Sequence, residues 1–176
     1  VVQNTYRICG NRVQAINFSE DWGSQEDLLV SPDIFQSFFM PRYKKLFEVI
    51  HECGYYVWMH SCGKINKAIP GLIEVGCDVL NMQQPRTNGI KEIGDQFAGH
   101  ISFESICDIQ KTLPVGNHDE IIKEARELVY SWGTPNGGFI LCDYGDARAI
   151  GTQPENKEFM LNVFRNIDPY KHGWKL

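Results

Sequence analysis

Short apolar stretches alternate with amphipathic helical stretches along the whole chain, and this alternation restricts the fold more than any other feature. Strands are expected at residues 13–19, 55–60, 78–82, 100–103 and 139–142. Each is short and nearly all apolar, as parallel strands covered on both faces are. A helical stripe of Ile34, Phe35, Phe38, Phe39, Tyr43, Leu46, Phe47 and Ile50 follows the first strand. Ser31 and Pro32 mark its start, Gly54 its end, and Pro41 is expected to kink it. Further helices are expected over 65–75, 89–97 and 118–132, with a last one from Pro154. Ile121, Ile122, Ala125, Leu128, Val129 and Trp132 line one face of the 118–132 helix.

Strict β-α alternation leaves a doubly wound open sheet or a (β/α)8 TIM barrel. No Gly-x-Gly-x-x-Gly follows any strand, which lowers the dinucleotide-binding reading. The polar residues collect after the strand C-termini: Glu20, Asp21 and Trp22; His60 and Cys62; Gln83 and Gln84; Glu104, Cys107 and Asp108; Cys142, Asp143, Tyr144 and Asp146. In a barrel those ends meet at one mouth, where active sites lie. The opposite turns, around 52–54, 75–77 and 133–136, carry no such chemistry. The expected fold is therefore an α/β TIM barrel, of which this chain carries about the last five β-α units. Residues 1–176 read as the C-terminal part of one domain, and the N-terminal half of the barrel is an expected partner.

Charge and cysteine usage narrow the function classes. The net charge is −5 with no basic run, which argues against nucleic acid. No apolar run reaches the length of a membrane span. The six cysteines are widely spaced, unlike those of a small secreted scaffold, so a reducing, cytoplasmic setting is expected.

His60 and Cys62 stand two apart at a strand end, so both side chains project to one side and Ser61 to the other. Gly63 then permits a sharp turn. An imidazole and a thiolate suit zinc, which in catalytic sites takes three protein ligands and leaves one position open. Cys142 is the first choice for the third ligand and Cys107 the second, with a carboxylate, Glu20 or Asp21, as a further option. The alternative for the pair is a hydrogen-bonded barrel histidine beside a packed thiol. Glu20 and Asp21 are candidate catalytic carboxylates, for proton transfer or substrate orientation, or supports for the metal. Trp22, Gln84, Glu104, Asp143 and Tyr144 are candidate substrate contacts, and Arg148 is expected to pair with an aspartate of its own loop.

The run Asp21-Trp22-Gly23-Ser24-Gln25, with Ser31-Pro32, Pro41-Arg42-Tyr43-Lys44 and His60-Ser61-Cys62-Gly63, resembles the uroporphyrinogen decarboxylase superfamily. So do Asp78-Val79-Leu80-Asn81, Gln84-Pro85, Gln110-Lys111-Thr112-Leu113-Pro114 and Pro154-Glu155-Asn156. The His-Ser-Cys-Gly segment looks like the methyltransferase branch. That resemblance implies a zinc enzyme moving a methyl group between a corrinoid (cobalamin), held by a partner corrinoid protein, and a thiol or methoxylated small molecule. It implies His60 and Cys62 as ligands, with Cys142 near the third, although residues 142–146 and 104–108 depart from the branch's pattern. The metal-free decarboxylation of a tetrapyrrole acid is the alternative within the superfamily, and a non-catalytic fragment or binding module the alternative outside it.

Overall fold

The computed structural model describes residues 1–174, in two compact units, residues 1–81 and residues 82 onward. Strands and helices alternate through both, and every strand pair within each unit is parallel. The chain is thus an α/β protein of β-α units, consistent with part of a TIM-barrel-type fold. Among the described residues, no helix is long and apolar enough to cross a membrane.

The first unit holds helix α1 (Val2–Cys9), strand β1 (Ala15–Ser19), the one-turn helix α2 (Pro32–Ile34) and helix α3 (Met40–Glu52). Strand β2 (Tyr56–His60), helix α4 (Ile69–Glu74) and strand β3 (Val79–Asn81) complete it. The register sets Ser19 beside His60 and His60 beside Asn81. Alternation along β2 separates two tasks. Val57 and Met59 are fully buried with Phe47 and Ile50 of α3, and each such side chain contributes roughly 1.5–3 kcal/mol by leaving water. Tyr56, Trp58 and His60 point to the other face, where Tyr56 is exposed and His60 half-buried.

Between α2 and α3 the expected kink is a π-helical turn, Phe35–Phe39, in which the Met40 N–H bonds to the Phe35 carbonyl. Pro41 explains it physically. Its nitrogen offers no hydrogen and its ring crowds the carbonyl four residues back, so the ladder widens by one residue before the proline. The helix expected over 65–75 is shorter, because a turn occupies its first residues.

The second unit opens with helices α5 (Pro85–Asn88) and α6 (Ile90–Phe97), strand β4 (Ser102–Ser105) and helix α7 (Thr112–Val115). Helix α8 (His118–Trp132), strand β5 (Phe139–Leu141), helix α9 (Pro154–Asn166) and helix α10 (Pro169–His172) follow. Asn117 and Glu120 form a reciprocal capping box at the start of α8. Trp132, fully buried at its end, lies 4.8 Å from Phe103 and donates its indole N–H to the Ile90 carbonyl at 2.8 Å. Gly94 lets α6 approach α8: a Cβ there would stand 2.3 Å from the Ser131 carbonyl oxygen. Buried Glu124 accepts hydrogen bonds from the Asp108 N–H at 2.6 Å and the Thr112 hydroxyl at 2.5 Å, which satisfies a carboxylate in the core.

Candidate metal centre

The loops leaving β1 and β2 are joined along their backbones. The Glu20 N–H donates to the His60 carbonyl at 3.1 Å, extending the parallel ladder by one residue. Beyond it the Gly23 N–H donates to the Cys62 carbonyl at 3.2 Å, and the Lys64 N–H to the Ser24 carbonyl at 2.7 Å. The two chains touch back to back at Gly23 and Gly63. A Cβ on Gly63, whose φ is +79°, would lie 2.1 Å from the Gly23 carbonyl oxygen. Only glycine fits such an approach.

This junction brings three donor groups together. Cys62 Sγ lies 3.4 Å from His60 Nε2, and Asp21 Oδ1 lies 3.5 Å from the same nitrogen. All three ligand atoms fall within 4.8 Å of one another. Asp21 Oδ1 is aimed by the Cys62 N–H, which donates to it at 2.9 Å. His60 Nδ1 lies 2.5 Å from the side-chain oxygen of Asn81, its register partner on β3. An amide oxygen accepts only, so Nδ1 carries the hydrogen and Nε2 presents a lone pair toward Cys62 and Asp21. Among the described residues, this is the one group of three or more His, Cys, Asp or Glu with such spacing.

The spacing can be tested against a metal. Tetrahedral zinc with bonds of about 2.0–2.1 Å to nitrogen and about 2.3 Å to sulfur has ligand-to-ligand edges of roughly 3.3–3.6 Å. The two measured separations match those edges, and the N, S and O donor set suits zinc. The residues present therefore fit the ion. Without one, burial and then the charge of Asp21 push the Cys62 thiol up to about 11. A positive charge between the three groups opposes both effects.

The two adjacent carboxylates part company. Asp21 faces His60 and Cys62, whereas Glu20 accepts a short hydrogen bond from the Tyr43 hydroxyl of α3. The Tyr43 phenol is held well above its ordinary range, by burial first and by Glu20 second, so it stays a donor. Trp22 is half-buried, its ring edge-on to Phe35 and Phe39 at 5.1 and 4.4 Å. Its indole N–H donates to Tyr43 Oη at 3.1 Å and its backbone N–H to Ser61 Oγ at 3.0 Å. Ser61 is turned inward and 1% exposed, on the side away from His60 and Cys62 that strand alternation assigns it.

The remaining candidates belong to the second unit. Cys142 is buried after β5; its N–H donates to the Ser105 carbonyl at 2.9 Å and its sulfur lies 3.8 Å from Gln83 Nε2. Cys107 is fully buried, its thiol donating to the Ile121 carbonyl at 3.7 Å, and burial drives that thiol well above its ordinary range. Gln84 is buried at the start of α5, and Glu104 is half-buried on β4 beside Ile140 of β5. Asp143 is exposed and pairs with Lys157 at 2.5 Å, a hydrogen bond that draws its carboxyl below the usual range. Tyr144, next to it, is half-buried. Arg148 pairs with Asp146 of its own loop at 3.0 Å, as expected.

Reading along the chain missed two residues of the site. Tyr43 belongs to an apolar helical stripe and looks like core. Asn81 is an ordinary strand residue until the register sets it beside His60. The one available signal was its place at the end of the strand after the His-Ser-Cys-Gly segment.

A sheet of parallel β-α units with its reactive groups at the ends of β1 and β2 is the arrangement of an enzyme of the barrel type. The family model for uroporphyrinogen decarboxylase (URO-D) matches residues 6–167, and the chain belongs to that family. The superfamily is enzymatic and includes decarboxylases and methyltransferases. A search of curated proteins gave no match.

Proposed function

We propose that this chain carries the metal centre of a zinc-dependent methyltransferase, with Asp21, His60 and Cys62 as the protein ligands. The observation that supports it is that Cys62 Sγ and Asp21 Oδ1 each stand at a tetrahedral-edge distance from His60 Nε2, with all three atoms within 4.8 Å of one another. The corrinoid-linked reading is the one the His60-Ser61-Cys62-Gly63 segment favours. Of the options for the third ligand, this reading takes the carboxylate of Asp21 ahead of Cys142, which belongs to the second unit.

Bound zinc would supply positive charge that stabilises the thiolate of a coordinated substrate thiol near neutral pH. Everything else falls to the chain. Asn81 keeps the His60 lone pair on Nε2, the Cys62 N–H steers Asp21, and the paired glycines hold the two loops in register. A methylated corrinoid on a partner protein would supply the methyl group and keep the electron pair of the bond it gives up. A carbon–sulfur bond forms with a pair from sulfur, and the thiol proton passes to solvent. In the other direction a methoxylated small molecule would give its methyl group to the reduced corrinoid, its oxygen keeping the C–O electron pair and taking a proton from solvent.

Metal analysis tests the proposal. The purified chain is expected to hold about one equivalent of zinc, lost in Cys62→Ser and weakened in Asp21→Asn. Wild-type protein without zinc after reconstitution refutes it and returns the metal-free decarboxylase to first place. Consumption of methylcobalamin with a thiol panel or a methoxy-arene panel then separates the two directions.

A further inference from the structure

Asp21 is the most exposed member of the metal centre, with 63% of its side chain accessible, against 20% for His60. A carboxylate so open is placed mainly by the backbone that carries it. Both of its neighbours in sequence are tied to one hydroxyl. Glu20 accepts the Tyr43 hydrogen, and the Trp22 indole donates to the same oxygen at 3.1 Å. On the other side the Trp22 N–H is bound to Ser61 Oγ, one residue before Cys62. Tyr43 itself is 7% exposed and stacks on Phe47 at 5.3 Å between ring centres, so its hydroxyl has a fixed origin. The Trp22 ring is further confined by Phe35 and Phe39 of the π-helical turn.

From this geometry we infer that Tyr43 is a positioning residue of the metal centre: by holding Glu20 and Trp22 it fixes the main chain that presents Asp21 to His60 and Cys62. The Tyr43 hydroxyl bonds to Glu20 and Trp22 and to none of the three candidate donors, so it acts through residues 20–22. The inference rests on the metal reading above. It gives the π-helical turn and the Asp21-Trp22-Gly23 segment one shared purpose, the placement of a single carboxylate.

The test uses the 176-residue chain and zinc affinity measured by chelator competition, in wild type, Tyr43→Phe, Asp21→Asn and the double variant. Tyr43→Phe keeps the ring on Phe47 and removes only the hydroxyl. It is expected to weaken zinc binding by about tenfold, the lower end for loss of a group that orients a ligand. In the Asp21→Asn background the same change is expected to alter affinity by less than about twofold, since the two act in series. With cobalt in place of zinc, Tyr43→Phe keeps the sulfur-to-metal charge-transfer band of Cys62. Trp22→Phe, which removes the indole donor and keeps an aromatic ring beside Phe35 and Phe39, gives a second route should Tyr43→Phe fold poorly, and is expected to weaken zinc in the same direction. Unchanged zinc affinity in Tyr43→Phe and Trp22→Phe overturns the inference while leaving the metal reading intact. An equal loss in the Asp21→Asn background also overturns it, because Tyr43 would then act on the fold at large. Wild-type protein that binds no zinc refutes the metal reading, and the inference falls with it.

Discussion

Replacing Gly63 by alanine probes the loop junction directly. The added methyl would stand 2.1 Å from the Gly23 carbonyl oxygen, where ordinary contact needs well over 3 Å, and the neighbouring atoms are all backbone. Overpacking of this kind costs about 1–3 kcal/mol. The φ of +79° adds about 1–2 kcal/mol for an L side chain. A stiffer unfolded chain returns up to about 1 kcal/mol. Urea unfolding followed by far-ultraviolet circular dichroism should therefore show a loss of roughly 1–5 kcal/mol. Gly23→Ala is the internal control. Its Cβ would stand 2.5 Å from the Lys64 nitrogen, but its φ is not positive, so only the steric part applies. It should cost about 1–2 kcal/mol less than Gly63→Ala. If Gly63→Ala lies within about 0.5 kcal/mol of wild type, the two loops do not abut as described, and the placement of Asp21 against Cys62 loses its mechanical basis.

Two further outcomes follow from the second unit. Trp132→Ala should destabilise the protein by about 3–5 kcal/mol in the same urea assay, and Trp132→Phe by about 1–2 kcal/mol, because it removes the indole hydrogen bond to the Ile90 carbonyl; a Trp132→Phe variant as stable as wild type would mean that the hydrogen bond contributes nothing. Lys157→Ala should raise the Asp143 carboxyl toward its ordinary range in a carbon-13 NMR titration, with the Gly145 N–H still holding it down in part. The sign follows from the depressed value: the pair favours the folded state above the ordinary carboxylate range, and that contribution disappears as pH falls through the lowered value. An Asp143 titration that Lys157→Ala leaves in place removes the ion pair from the account.

The elements that bury apolar faces were legible in the sequence. Helix α8 has the bounds its periodicity predicts, and all five strands fall within the expected stretches or shift by a residue or two, β4 most. The loss at 35–39 has a local cause. A proline does not announce whether it bends an α-helix or widens it into a π-turn, because the choice depends on what the freed carbonyls meet. The four-residue helices α5 and α7 carry too few residues for a periodic signal. At the site, the spacing of His60 and Cys62 was readable, since strand geometry alone puts them on one side. The third donor was legible only as one option among Cys142, Cys107, Glu20 and Asp21. Asp21 lies 39 residues before His60, and only the parallel register of β1 and β2 brings the two loops together. Tyr43 was hidden because a helical stripe of aromatics gives no hint of which hydroxyl finds a partner.

The Gly23–Gly63 contact also limits how this centre can be transplanted. The three candidate donors come from the end of β2 and the two outgoing loops, yet those loops share their hydrogen bonds and leave no room for a side chain between them. Grafting the His-Ser-Cys-Gly segment alone onto another parallel sheet would deliver two donors and an unsupported turn. The transferable part is the pair of adjacent strands with both outgoing loops, moved as one piece. Length changes are tolerable only beyond Ser24 and Lys64, where the shared ladder ends.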